Sequence, residues 1–448
     1  MTMRRRTMGQ ALVDFMANQY VSVDGVESPF FAGCLGTVGQ GNIGEIKQTL
    51  RRHPGFGYRE AQNEQAMVYT AAAFARMHNR RRAFACTTPM EPGAADMISA
   101  AAGATIHRLP VLLLPGDIFG CGQIASHLEQ STEDRTQDMA VADCFKPVSR
   151  YWDRIYRPEQ LLTSLPEAMR VLASPAETGV VTLAVGQNAQ ADAWDYPESL
   201  FARRVWMVGR PRPDRGLLDR AVGWIQKSEN PLIVAGGGVL YSEASSTLEA
   251  LAAQTGIAVA ETRAGKGAMH HDHVSCLGTV GVNGSPAANR LARDADLVIG
   301  IGTRYSDFSK MDFANPNVRF IHINISEFDS VFIFGGSFDK EVTDSNLKAV
   351  LPIEMFRLLK RKQAKLLIEH HYNASYNKIT VPFRVVSRAL IFNVYPAFKI
   401  LSNYTVCSNS SLDASKNFLY GVRNQAVCFI AHEEPPNEIY ETMPVIPL

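Results

Sequence analysis

The sequence predicts an α/β protein with two doubly wound parallel-sheet (Rossmann-like) domains followed by an atypical C-terminal segment. Three observations carry that expectation. Short apolar runs rich in β-branched residues alternate with Ala-rich stretches of helical length, which is the grammar of βαβ units and a parallel sheet. Runs such as VVTLAV (180–185) and LVIGIG (297–302) are almost continuously apolar, so each needs helices over both faces of its sheet. The grammar also runs twice, to about residue 185 and again from residue 214, and then stops.

Taken in order, RRAFACTT (81–88), LPVLLLPGD (109–117) and TGVVTLAV (178–185) read as strands of the first domain. ADMISAAAGATIH (95–107) and RPEQLLTSLPEAMRVLAS (157–174) read as the helices between them. Residues 186–212 are polar, aromatic and proline-bearing without a sustained period, which predicts a connector over the surface. A second set follows: a helix over 214–227, strand PLIVAGGG (231–238), a helix over 242–255, strand IAVAET (257–262), a helix near 287–293, and strands DADLVIGIG (294–302) and VRFIHINI (318–325). The expected organisation is therefore 1–190 for the first domain, 191–212 for the linker, 213–327 for the second domain and 328–448 for an unassigned tail. In that tail alanine thins out, Asn and Tyr rise, and only short apolar pieces remain.

Composition narrows the function. Lys plus Arg number 45 against 44 Asp plus Glu, a net charge of +1, so no long-range field gathers nucleic acid or anionic membrane. The seven cysteines form no C-x-x-C pair and have no His partner at zinc-ligand spacing, which predicts reduced thiols and no structural metal. The strongest apolar run, LPVLLLP (109–115), is far too short to cross a bilayer core of about 30 Å. Arg4, Arg5 and Arg6 are followed by no apolar signal core, so a cytoplasmic protein is expected.

Glu64 follows Asn63 and precedes the helix-like run AMVYTAAAFARM (66–77). Read alone it is a first-turn acid, stabilised at a helix start by at most about 2 kcal/mol. Its neighbours change that reading. In order come Glu64, TTPMEPGAADM (87–97), LPVLLLPGD (109–117) and FKPVSRYWDRIYRPEQL (145–161), a succession that resembles the pyrimidine-binding domain of the thiamine-diphosphate-dependent enzymes. PLIVAGGGVLYS (231–242), ETRAGKGAM (261–269), DADLVIGIGTRYSDF (294–308) and VRFIHINIS (318–326) resemble the central domain of the same superfamily. Within it, KPVSRYWDRIYRPEQL (146–161), DYPESLFARRVW (195–206), AGKGA (264–268) and GTRYSDF (302–308) resemble the trihydroxycyclohexane-1,2-dione hydrolase family of myo-inositol breakdown. The resemblance covers roughly residues 7–330.

That resemblance implies a carbon–carbon bond hydrolase that opens the ring of a cyclic polyol diketone, using thiamine diphosphate and Mg2+. It implies that Glu64 is catalytic and bonds a ring nitrogen of the cofactor. Gly39, Gln40, Gly41, Asn42, Pro92 and Gly93 would bind the cofactor beside it. It also implies a homo-oligomer, or a pairing with a complete homologue. Three other readings stay open: a truncated and inactive form of that hydrolase, a noncatalytic subunit or scaffold relative, and an acetolactate-synthase-like carboligase.

The sequence departs from the family pattern at several points. Gln40 stands between glycines where the family usually has histidine, and cannot shuttle a proton near pH 7 as histidine can. Tyr69 also replaces a histidine, and Met90-Glu91 precede Pro92-Gly93 where small residues are usual. The family holds the diphosphate through a metal on a Gly-Asp-Gly motif. None occurs in this chain, and Gly335-Gly336-Ser337-Phe338-Asp339 does not match its spacing. Without such oxygen ligands a hard cation is undercoordinated. Gly236-Gly237-Gly238 lacks the full G-x-G-x-x-G and reads as a tight turn. Lys266 reads as a solvated lysine, and His270, His271 and His273 as surface residues rather than a metal site.

Overall fold

A computed structural model describes residues 2–37, 45–53, 55–89, 93–117, 140–304 and 318–326, with the backbone of short strands at 348–349, 418–423 and 426–431. The chain opens with β1 (Met3–Thr7), α1 (Met8–Ala17), β2 (Gln19–Val23) and β3 (Val26–Pro29). Thr7 and Gln10 close a capping box at the start of α1, each side chain taking the other's backbone N–H. The helix then buries Met8, Leu12, Phe15 and Met16 in the largest apolar core.

The first parallel sheet comprises β4 (Phe31–Gly36), β5 (Tyr58–Glu60), β6 (Ala83–Thr88), β7 (Val111–Asp117), β8 (Tyr151–Ile155) and β9 (Val180–Gly186). Its spatial order is β5-β4-β6-β7-β9-β8, every pair parallel. Helices α2 (Glu45–Arg52), α3 (Glu64–Met77), α4 (Gly93–Ile106) and α5 (Leu161–Leu172) lie between the strands in sequence. Every residue of β7 and β9 is buried, as the continuous apolar runs require when both sheet faces are covered.

Two further strands lie in the segment expected to be a linker: β10 (Ala193–Pro197) and β11 (Arg204–Val208). β10 pairs antiparallel with β1, and β11 pairs parallel with β2, which also carries β3. Tyr196 is fully buried and Trp206 donates its indole N–H to Gln19 at 2.9 Å. The partners of these strands stand about 190 positions earlier in the chain (|i−j| = 190 for the Arg5–Asp195 bond), so no local pattern announces them.

The second parallel sheet is built from β12 (Pro231–Ala235), β13 (Ala258–Glu261), β14 (Cys276–Thr279), β15 (Leu297–Ile301) and β16 (Arg319–Ile323), in the order β14-β13-β12-β15-β16. Its helices are α6 (Arg215–Lys227), α7 (Gly237–Tyr241), α8 (Ser245–Thr255) and α9 (Pro286–Asp294). The helix expected over 242–255 is α8; ahead of it the short helix α7 occupies residues read as a strand end and glycine turn, and Glu243, with a φ of 57° that no continuing helix accommodates, separates the two. In the tail, β17 (Lys348–Ala349) extends this sheet and β18 (Phe418–Arg423) pairs with β19 (Ala426–Ala431). The rest of 328–448 lies outside the described residues.

Candidate functional site

In the first sheet the chain leaves β4 for β5 on one side and returns to β6 on the other. The carboxyl ends of β4 and β6 therefore flank a topological switch point, where open parallel sheets leave a crevice. Thr37 follows β4 and Thr88 ends β6; their hydroxyls meet at 3.1 Å, and both residues are buried. The end of β7 closes the next gap. Asp117 is fully buried there, and Arg154 reaches it with Nε at 2.7 Å while binding Asp143 through a second nitrogen at 2.7 Å. Burial alone would raise the Asp143 pKa. Lys146, the Ala140 N–H and Arg154 outweigh it and hold that carboxyl below its usual range.

Glu64 is the first residue of α3 and is half-buried. Asn63 caps the helix by accepting the Ala66 N–H at 2.8 Å, which sets where the Glu64 side chain leaves the backbone. Its carboxylate lies against Gly93, the first residue of α4: Oε1 is 2.8 Å from the point a Cβ on Gly93 would occupy, and the Thr88 hydroxyl is 3.2 Å from the same point. The acid thus sits where two helix starts converge beside the switch point, a place that favours negative charge and can meet a polar ring edge. Of the residues expected to join it, Gly93 stands beside the carboxylate, which fills the space a Cβ there would need. Gly39, Gln40, Gly41, Asn42 and Pro92 lie outside the described residues.

The second sheet has its own switch point, between β12 and β15. It is sealed by backbone. Gly236 N donates to Ile301 O at 2.8 Å and Gly238 N to Gly302 O at 2.9 Å, so these amides are already used and the triple glycine is a tight turn. A Cβ on Gly236 would stand 2.3 Å from Gly302 O, which explains the glycine without a phosphate. Lys266 is exposed, as expected, and its Nζ also pairs with Glu261 Oε2 at 2.8 Å. Glu261 is fully buried at the end of β13 and also accepts the N–H groups of Gly267 at 2.8 Å and Met269 at 3.2 Å. A buried carboxylate needs that pairing, and its spacing from Lys266 follows no helical or strand rule. His270, His271 and Asp272 place ligand atoms within 4.8 Å of one another on the exposed surface. His273 turns away and accepts the Ser275 N–H at 3.1 Å.

The family comparisons agree with both halves. Residues 30–134 match the description "Thiamine pyrophosphate enzyme, N-terminal TPP binding domain", and residues 218–343 match "Thiamine pyrophosphate enzyme, central domain". The chain belongs to the thiamine pyrophosphate enzyme family. Among curated relatives of this family, a 3D-(3,5/4)-trihydroxycyclohexane-1,2-dione hydrolase of Clostridium perfringens is 44% identical over 356 residues, covering 78% of this chain and 55% of the relative. Proteins of the same name are 45% identical over 326 residues in Clostridium tetani and 44% over 328 residues in Bacillus thuringiensis, each covering 72% of this chain and 51% of the relative. The chain thus spans about half the length of the curated relatives it matches. No helix among the described residues is long and apolar enough to cross a membrane.

Within this thiamine pyrophosphate enzyme scaffold, one cluster escaped sequence reasoning. Arg80 stacks 3.6 Å from the Tyr241 ring centroid and donates to His107 O at 3.1 Å, while Arg304 donates to Ile106 O at 2.7 Å. The guanidinium groups thereby cap the carbonyl end of α4 and tie the first sheet's helices to the second. Burial pushes Arg80 down to about 10. Desolvation, then the charges of Arg76, Arg304, Arg263 and Arg80, push the His107 imidazole down to about 4. The run Arg80-Arg81-Arg82 was the available signal, but Arg263 and Arg304 join it only through the fold.

Proposed function

We propose that this chain is a thiamine-diphosphate-dependent carbon–carbon hydrolase of the trihydroxycyclohexane-1,2-dione type, acting in inositol catabolism, and that residues 1–190 provide its ring-binding half. The single observation that supports this most is the Glu64 carboxylate beside Gly93 and Thr88 at the first sheet's switch point. Thiamine diphosphate supplies carbanion chemistry that amino-acid side chains lack. Glu64 would hydrogen-bond a nitrogen of its pyrimidine ring and hold the proton there. Gly39, Gln40, Gly41, Asn42, Pro92 and Gly93 would line the same edge. The described residues fit the ring half of the group, whereas its diphosphate and Mg2+ call for oxygen ligands that the sequence does not offer as Gly-Asp-Gly.

A second reading follows from that motif: a noncatalytic relative, or a partner of a complete homologue that brings the diphosphate site. A homo-oligomer fits the first reading, and a cytoplasmic location fits the free thiols of Cys34, Cys86, Cys144 and Cys276.

The test is calorimetric titration of the purified chain with thiamine diphosphate and Mg2+, followed by product analysis with the cyclic dione and, separately, with pyruvate. The active-hydrolase reading requires binding and ring opening, with Glu64→Gln lowering the rate by about 10²- to 10⁴-fold, whereas binding without turnover marks a truncated, inactive chain. Binding only after a complete homologue is added would favour the partner reading. Turnover of pyruvate alone would replace hydrolysis by carboligation.

A further inference from the structure

The crevice contains a steric constraint that nothing about the cofactor requires in advance. A Cβ built on Gly93 would meet Glu64 Oε1 at 2.8 Å and Glu64 Cδ at 3.3 Å on one side, and Thr88 Oγ1 at 3.2 Å on the other. Real Cβ atoms do not stand 2.8 Å from a neighbour, so one of the two must yield. Thr88 is 0% exposed at the end of β6, and its hydroxyl is bonded to that of buried Thr37 at 3.1 Å. A β-branched side chain is restricted at χ1, and one that is buried and already hydrogen-bonded is the less free of the two to move. Glu64 is half-buried at a helix start, with its carboxylate at the end of a flexible side chain. Glu64 yields.

We propose that Gly93 is a positioning residue: its bare Cα, backed by the fixed Thr37–Thr88 hydroxyl pair, sets the depth at which the Glu64 carboxylate stands in the crevice. The inference rests on the reading of Glu64 as the ring-binding acid and adds what holds that acid in place. A single methyl at 93 can be accommodated, because the closest atom it displaces is the end of the flexible Glu64 side chain, yet it moves the carboxylate outward. A displacement approaching 1 Å at a group that must be placed for reaction can cost about 10²-fold. The constraint is also reciprocal. Shortening the acid by one methylene reopens the space, so Glu64→Asp should harm the parent and help a chain that carries Gly93→Ala.

The experiment compares the full chain with G93A, E64D, G93A/E64D and E64Q. Dissociation constants for thiamine, which carries the ring without the diphosphate, are measured by calorimetry, and urea unfolding is followed for each variant. Expected are a loss of binding of about 10- to 100-fold in G93A, with the unfolding midpoint close to the parent's, and recovery of at least about fivefold in G93A/E64D relative to G93A. E64D alone should weaken binding, and this reversal of sign is something a merely structural role for Gly93 would not produce. Parent-like binding by G93A, or independent losses that simply multiply in the double variant, would overturn the positioning role while leaving Glu64 as the acid. If E64Q binds as the parent does, or the parent binds no thiamine, the ring-binding reading itself falls. In that case the urea midpoints of the parent, G93A, E64D and G93A/E64D still decide the steric coupling: it stands if the E64D change lowers the midpoint less in G93A than in the parent, and fails otherwise.

Discussion

Asp117 carries its carboxylate at the end of a strand that is buried throughout, so its guanidinium partner is obligatory. Arg154→Met should cost about 3–5 kcal/mol, the scale for stripping one partner from a buried pair, read from urea unfolding. Cys34 makes a prediction with a sign. Burial pushes its thiol up to about 12 from an ordinary 9.0. The folded chain therefore keeps a proton that the unfolded chain releases above 9.0, and stability from this group is full below that pH and falls as pH rises towards about 12. The slope is at most about 1.4 kcal/mol per pH unit. Urea midpoints between pH 8.5 and 10.5 should decline in the parent and decline less in Cys34→Ala. At this scale Glu64 was legible from the neighbouring text, while Arg154 was not. An acid before a helix leaves a local mark, but the partner of Asp117 is 37 positions away on another strand.

Among the elements, α3 shows how a cap reaches function. Asn63 satisfies the Ala66 N–H and fixes the first turn from which Glu64 projects. Asn63→Ala should lower stability by about 0.5–2 kcal/mol. It should also weaken thiamine binding more than a surface substitution of equal thermodynamic cost, measured by pairing the two titrations. The strands and helices of both sheets were readable because their signals are local: β7 and β9 as apolar runs, α6 by the Asp214 cap that accepts the Leu217 N–H at 3.0 Å. The short helix α7 was not, because its five residues begin inside a triple glycine that reads as a turn. Strands β10 and β11 escaped for a different reason, as their pairing exists only once residues 3–23 are present.

Over the whole molecule, two parallel sheets could be counted from the alternation of segments, but the order of their strands could not. Sheet order decides where each switch point lies: Glu64 stands beside one, and Gly236 and Gly302 pack together at the other. The chain's first residues matter in the same way. β1 and β2 each hold a strand from 193–208, and α1 adds Met8, Leu12 and Phe15 to the main core. Anyone trimming this protein to begin at residue 30, where the N-terminal family match starts, would unzip a seam. Such a fragment leaves β10 and β11 without their neighbours and bares the ring of Tyr196, inviting edge-to-edge aggregation. Light scattering should find it polydisperse where the intact chain is not. The opening residues act as a sewn hem, and a useful expression boundary lies ahead of Met3.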